Sequence, residues 1–233
     1  MLRMMVFIAL LGGLGYGQCG QFINPTEALD RYLRAKQAQQ PEVQEAPIEV
    51  DIEASLPQLD KHGRMHGLRL LTRAGQVVYS ELRFKGDKTI KTQVIARYLN
   101  AEIESRSAGE DVTISPGNYR FDYKGIADYA GRPAYVYQME PRRKRVGLFR
   151  GELWLDPATA LPFREWGDLV KSGSAFVKHV RFVRDYFLDR NRADLRRLVM
   201  TAHAFMVGEV DMTVWFGVDA ASRNTEQTEE PDL

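Results

Sequence analysis

From Ile48 onward, apolar side chains recur at every second residue. Ile48, Val50, Ile52, Ala54 and Leu56 alternate with Glu49, Asp51, Glu53 and Ser55, the pattern of a strand with one dry and one wet face. Leu68 and Leu70 then oppose Arg69, although Leu71 blurs the phase, and Val78, Leu82 and Phe84 oppose Tyr79, Glu81 and Arg83. Tyr119, Phe121 and Tyr123 face away from Arg120, Asp122 and Lys124, and Tyr135, Tyr137 and Met139 follow a turn at 128–133. Residues 146–187 read as three successive antiparallel strands, 148–155, 162–169 and 176–187, joined by turns at 156–159 and 171–174. Val210, Met212, Val214 and Phe216, opposed by Glu209, Asp211 and Thr213, give a further strand.

Two segments carry the longer helical period. Asn24 with Pro25 or Thr26 opens one helix, whose face is Ala28, Leu29, Tyr32 and Leu33, ending before Pro41. Asp87 caps the other, in which Ile90, Val94, Ile95, Tyr98, Leu99 and Ile103 recur at three and four residue spacing to about Glu104. A parallel sheet would need near-continuous apolar strands and a crossover helix between each pair. The expected fold class is therefore mainly β (α+β), a strongly curved antiparallel half-barrel of about ten strands with two lid helices. The expected divisions are a signal peptide at 1–17, the N-terminal helix and a polar linker at 18–47, the half-barrel at 48–219 and a disordered polar tail at 220–233.

Composition narrows the function classes. The 233 residues, 44% hydrophobic and 27% charged, suffice for one sizeable core, and a net charge of +1 points to no nucleic-acid partner. A single cysteine, Cys19, excludes an internal disulfide and a multi-cysteine metal site. Arg3, the apolar run 4–14 and the small-x-small site Gly15, Tyr16, Gly17 read as an export signal, so a periplasmic location is expected. Cys19 invites a lipid anchor, but Gln18 is a poor residue to precede one, and a free thiol is the favoured reading.

Candidate chemistry is sparse. His62 and His66 sit four apart, as in a helical metal pair, but Gly63 and Gly67 mark this as a turn between strands, with no carboxylate cluster to complete a site. His179 and His203 fall on strands as ordinary solvated or half-buried residues. Ser172 and Ser174 flank Gly173 without an evident base, and no glycine-rich phosphate loop opens a helix, so neither catalysis nor a cofactor is expected. Glu152 with Asp156, and Glu165 with Asp168, are acid and base pairs in principle, but they read as solvated charge on the wet phase or in turns.

Arg142, Arg143, Lys144 and Arg145 form a dense basic loop after Pro141, either a soluble hairpin tip or a contact for anionic headgroups or an acidic partner. Trp154, Trp166 and Trp215 fall on wet phases, which marks a docking surface or a region covered by the N-terminal helix or tail.

The run GLFRGELWLDPATALPFREWG, followed by FVKHVRFVRDYF, resembles the periplasmic lipoprotein carrier family (LolA-like) and its relatives, including the lipid-sensing domain of RseB-type sigma-factor regulators. The matching positions are Leu153, Leu155, Asp156, Pro157 and Thr159, then Val180 with Phe182, and the order of elements matches over 24–219. Ala160 and Leu161 stand where the family carries a glycine after the threonine. The resemblance implies a half-open barrel lidded by helices, with a greasy cavity for acyl chains and no chemical transformation. The expected function is therefore an exported binding protein for a lipid or an acylated protein, with a carrier or lipid-sensing role in the cell envelope. The alternative is an envelope protein-interaction or regulatory module without a lipid ligand. The expected cavity residues are Val50, Ile52, Leu70, Leu82, Phe121, Tyr123, Tyr137, Leu153, Phe182, Met212, Val214 and Phe216, and the expected partner surface is Trp154, Trp215 and the 142–145 loop.

Overall fold

A computed structural model of the chain describes residues 22–38, 46–107, 112–129, 131–173, 177–189, 192–205 and 207–217. The expected signal segment, Cys19, most of the linker and the tail from 220 lie outside the described residues, as do Ser174 and Phe176.

Ten strands form one antiparallel sheet: β1 (Ile48–Leu56), β2 (Lys61–Leu71), β3 (Val77–Gly86), β4 (Tyr119–Tyr129), β5 (Arg132–Pro141), β6 (Phe149–Leu155), β7 (Pro162–Leu169), β8 (Val177–Asp189), β9 (Arg192–Ala204) and β10 (Gly208–Phe216). Their spatial order is β3-β2-β1-β10-β9-β8-β7-β6-β5-β4, so β3 and β4 are free edges and the half-barrel stays open. Helix α1 (Pro25–Ala38) precedes the sheet, with the Asn24 side chain accepting from the Thr26 amide at 2.8 Å. The second helix begins with a π-helical stretch, Ile90–Ile95, and continues as α2 (Ala96–Ser107). It carries the chain from one sheet edge to the other, and Asp87 caps it by accepting from the Thr89 amide at 2.6 Å.

Residues paired in register share a face, so one set of contacts fixes the whole sheet. Ile48, Val50, Ile52 and Ala54 lie opposite Arg69, Gly67, Met65 and Gly63, and Val50, Ile52 and Ala54 lie opposite Phe216, Val214 and Met212. This face holds the core, to which Ala28, Tyr32 and Leu33 of α1 and Ile90, Val94, Ile95 and Leu99 of the second helix add their apolar sides. Register shifts at His66/Leu68, Tyr123/Gly125, Trp154/Leu155, Val177/His179 and Asp185/Tyr186 mark bulges that bend and twist the sheet.

Three expectations change here. The stretch containing His62 and His66 is strand, not turn: Gly63 and Gly67 lie within β2 because neighbours fill the space a side chain would take. A Cβ at Gly63 would lie 2.8 Å from Ile90 Cγ2, and one at Gly67 2.6 Å from Leu82 Cδ2. With Gly63, Met65, Gly67, Arg69 and Leu71 buried in alternation, Leu70 falls on the outer face, so the phase assigned to β2 was inverted. In β3 a bulge around Glu81, which has φ 53°, switches the phase: Val77 and Tyr79 face inward before it, Leu82 and Phe84 after it.

The turn after β6 is built by one carboxylate. Asp156 Oδ1 accepts from the Ala158 amide at 3.0 Å, the Thr159 amide at 2.8 Å and the Thr159 hydroxyl at 2.9 Å, and the Pro157 carbonyl accepts from the Ile23 amide at 3.0 Å. This turn therefore also seats the segment leading into α1. Ala160 closes it with φ 62°, a left-handed conformation that an L side chain adopts at a cost of about 1 kcal/mol. Ala160→Gly is expected to stabilise the protein by roughly 0.5 kcal/mol, with loss of the buried methyl offsetting part of the gain. Urea unfolding measures it, and a destabilised variant would show that methyl packing outweighs backbone strain.

Candidate functional site

The two helices cover opposite ends of the dry face. The second helix contacts β1, β2 and β3. Near the other end, the Ile23 carbonyl accepts from the Tyr135 hydroxyl at 2.7 Å, and the Pro25 carbonyl from Tyr137 at 2.6 Å, pinning α1 above β5. Burial and the neighbouring Tyr123 and Tyr135 hold the Tyr137 hydroxyl well above the usual tyrosine range, so it keeps the proton it donates. Between the helices run β10, β9 and β8, whose inward Val180, Met200, Ala202 and Val210 are only half-buried.

Charge sits on this face as well. Glu165 of β7 is 1% exposed and lies opposite Leu153 on one side and Arg184 of β8 on the other. Its Oε2 accepts from Arg184 Nη1 at 3.1 Å, and Oε1 from the Tyr32 hydroxyl of α1 at 3.4 Å. Tyr186 is held against both partners. Burial first, then the Glu165 charge, pushes the Tyr32 and Tyr186 hydroxyls well above the ordinary tyrosine range, so both stay protonated donors. The Arg184 guanidinium lies 4.6 Å from the Phe182 ring centroid, yet its side chain remains 38% exposed. Burial opposes its charge, but Tyr186 and Glu165 outweigh that and raise its pKa above the usual arginine value.

A second buried pair ties α2 down. Arg69 donates to Glu102 Oε1 through Nη2 at 2.6 Å and Nε at 3.2 Å, and the Tyr79 hydroxyl donates to Glu102 Oε2. The expectation that Glu165 is solvated is thus overturned. Its own phase, shared with Gly167 and Leu169, already marked it as inward, as Phe182 marks Arg184 and Met65 marks Arg69.

All the expected cavity residues except Leu70 lie on the dry face. Val50, Ile52, Tyr137, Leu153, Phe182, Met212, Val214 and Phe216 are buried in its core and Phe121 is half-buried. Leu82 and Tyr123 are 49% and 41% exposed on the edge strands β3 and β4, where the dry face runs beyond the helices.

The outer face gathers its own aromatic cluster. Trp154 and Trp166 both donate to Glu152 Oε2, at 2.8 and 2.9 Å, and Trp154 meets Tyr129 and Phe163 edge-on. Arg164 stacks 4.3 Å from the Tyr129 ring centroid. Ala134 and Val136 of β5 are buried on this side, so β5 is covered on both faces. Trp215 is 3% exposed and presents little surface to a partner. In the basic loop, Arg142 Nε donates to the carbonyls of Pro116 and Tyr119 and Arg145 Nη2 to Asn118 Oδ1, so these two brace the neighbouring loop, whereas Arg143 and Lys144 are exposed.

His62 and His66 face Asp60 and Asp51, at 3.6 and 3.3 Å, and His179 and His203 are exposed. Among the described residues no group of three or more His, Cys, Asp or Glu side chains is placed to hold a metal ion. No described helix is long and apolar enough to cross a membrane. A groove of about 510 Å³ is lined by Glu53, His62, Arg64, Lys85, Asp211 and Thr213, among others.

No protein-family model matches the sequence, and no curated protein matches it. Among solved structures the chain is similar to a putative outer membrane lipoprotein-sorting protein domain from Vibrio parahaemolyticus, at 15% identity and a TM-score of 0.42, covering 89% of this chain and 100% of that one. It is similar to the LolA superfamily protein NE2245 from Nitrosomonas europaea, at 14% identity and a TM-score of 0.40, covering 84% and 92%. It is also similar to the Pseudomonas aeruginosa MucA/MucB complex structure, at 14% identity and a TM-score of 0.25, covering 90% and 99%. The fold is a curved antiparallel half-barrel with two helices.

Proposed function

We propose that the protein is an exported, non-enzymatic binding module of the cell envelope that takes the acyl chain of a lipid or lipoprotein between its sheet and its helices. The observation that carries this reading is the uneven cover of the dry face. The second helix covers the face at β1 to β3 and α1 lies above β5, while Val180, Met200, Ala202 and Val210 between them stay half-exposed along three adjacent strands. A solid core would bury these side chains, because full removal of a valine or methionine side chain from water gains roughly 1.5 to 3 kcal/mol, part of which is still to be made here. An acyl chain laid along them would complete that burial. Organic extraction of the purified protein followed by lipid mass spectrometry is expected to find co-purified amphiphile, and a fluorescent fatty acid is expected to bind. A blank extract with no probe binding removes the reading.

A second reading rests on the outer aromatic cluster, where Trp154 and Trp166 are half-buried around Glu152. It assigns a regulatory contact with another envelope protein. With Trp215 buried, Trp154→Ala is the substitution that separates the two readings: it weakens partner capture and leaves acyl binding as it was.

A further inference from the structure

The dry face carries a positive group held in place by its neighbours. Arg184 has five N–H donors, and the acceptor beside it, Glu165, also takes the hydroxyl of Tyr32 and lies against that of Tyr186. Glu165 is sealed from water, whereas more than a third of the Arg184 side chain is reachable, so of the pair it is Arg184 that a ligand can approach. Phe182 under the guanidinium and Glu165 at one edge hold the group in place, which reduces the ordering needed when it binds. The half-buried Val180 and Met200 lie on the same face beside Phe182, giving an apolar track that starts at a cation.

Resting on the acyl-binding reading, we infer that the ligand is an anionic amphiphile whose carboxylate or phosphate oxygens bind Arg184 while its chain runs over Val180 and Met200. A glyceride or a neutral acyl ester offers only carbonyl and hydroxyl acceptors, which form weaker bonds to a guanidinium than a charged oxygen does.

Calorimetric titration with oleate, lysophosphatidic acid and the uncharged monoolein tests this. At least one anionic ligand is expected to bind about tenfold more tightly than monoolein, the difference between a charge-assisted and a neutral hydrogen bond. The larger preference identifies the carboxylate or the phosphate as the favoured anion. In Arg184→Gln, checked for folding by its melting curve, the preference is expected to collapse to about one, while Arg184→Lys keeps part of it. Equal affinity of the wild type for all three amphiphiles, or a preference that survives in Arg184→Gln, overturns the inference and leaves acyl binding standing. Failure of all three to bind overturns both.

Discussion

Glu165→Leu is expected to destabilise the protein by about 2 to 3 kcal/mol, although leucine is the more usual occupant of a buried strand position. The wild-type carboxylate is the common acceptor for Arg184 and Tyr32, with Tyr186 against it. Removing it strands these donors where little water reaches them, and unmade buried hydrogen bonds cost more than made ones contribute. Arg184 is part-exposed and can turn toward solvent, which keeps the loss below the upper range for a fully buried ion pair. The double variant Glu165→Leu, Arg184→Met is expected to recover most of the loss, because both charges leave together and apolar volume replaces them. A urea double-mutant cycle reads the coupling directly, at about 1 to 3 kcal/mol. If the double variant is no more stable than Glu165→Leu alone, the pair is not what Glu165 serves.

The period of two carried the architecture. Strands β1, β4, β6 and β10 follow the expected alternation, and α1 and the second helix cover nearly the expected residues. What alternation alone did not reveal has identifiable causes. Strand β9 has no legible bounds in the sequence because it lies between β8 and β10 in mid-sheet, with most side chains on both faces half-buried, so Leu195, Arg196, Arg197 and Leu198 follow one another without a clean phase. Bulges shift the phase mid-strand, and nothing in the composition of β3 announces the left-handed Glu81. Gly63 and Gly67 resemble turn residues in the sequence because the neighbours that fill their side-chain space, Ile90 and Leu82, come from elements further along the chain. The polar centre is a different kind of miss. Glu165, Arg184 and Arg69 are charges on the dry phase, where charge does not mean contact with solvent. A charge whose neighbours at two-residue spacing are apolar is better read as a buried partner looking for its opposite.

Gly151→Ala is expected to be among the most damaging single-methyl additions in the molecule, at roughly 3 kcal/mol or more, although alanine is an ordinary residue in strands. Gly151 of β6 and Gly167 of β7 face each other in register on the dry face. A Cβ at Gly151 would run into the Trp166 carbonyl and lie 2.5 Å from Gly167 Cα, while one at Gly167 would lie 2.5 Å from the Arg150 carbonyl and 2.6 Å from Phe149 Cδ2. The obstacles at Gly151 are backbone atoms, which cannot step aside as a flexible side chain can. The physical reason is curvature: on the concave side of a bent sheet, side chains crowd, and paired glycines relieve that crowding where the bend is sharp. Forcing a methyl between β6 and β7 therefore straightens or unpairs the strands beside Glu165. Gly117→Ala is the control, since its nearest obstacle is the Ser115 hydroxyl at 3.7 Å, and it is expected to change stability by less than about 0.5 kcal/mol. Urea denaturation of the two variants side by side decides it: a Gly151→Ala protein as stable as Gly117→Ala would mean that the sheet does not need its glycine pair to bend.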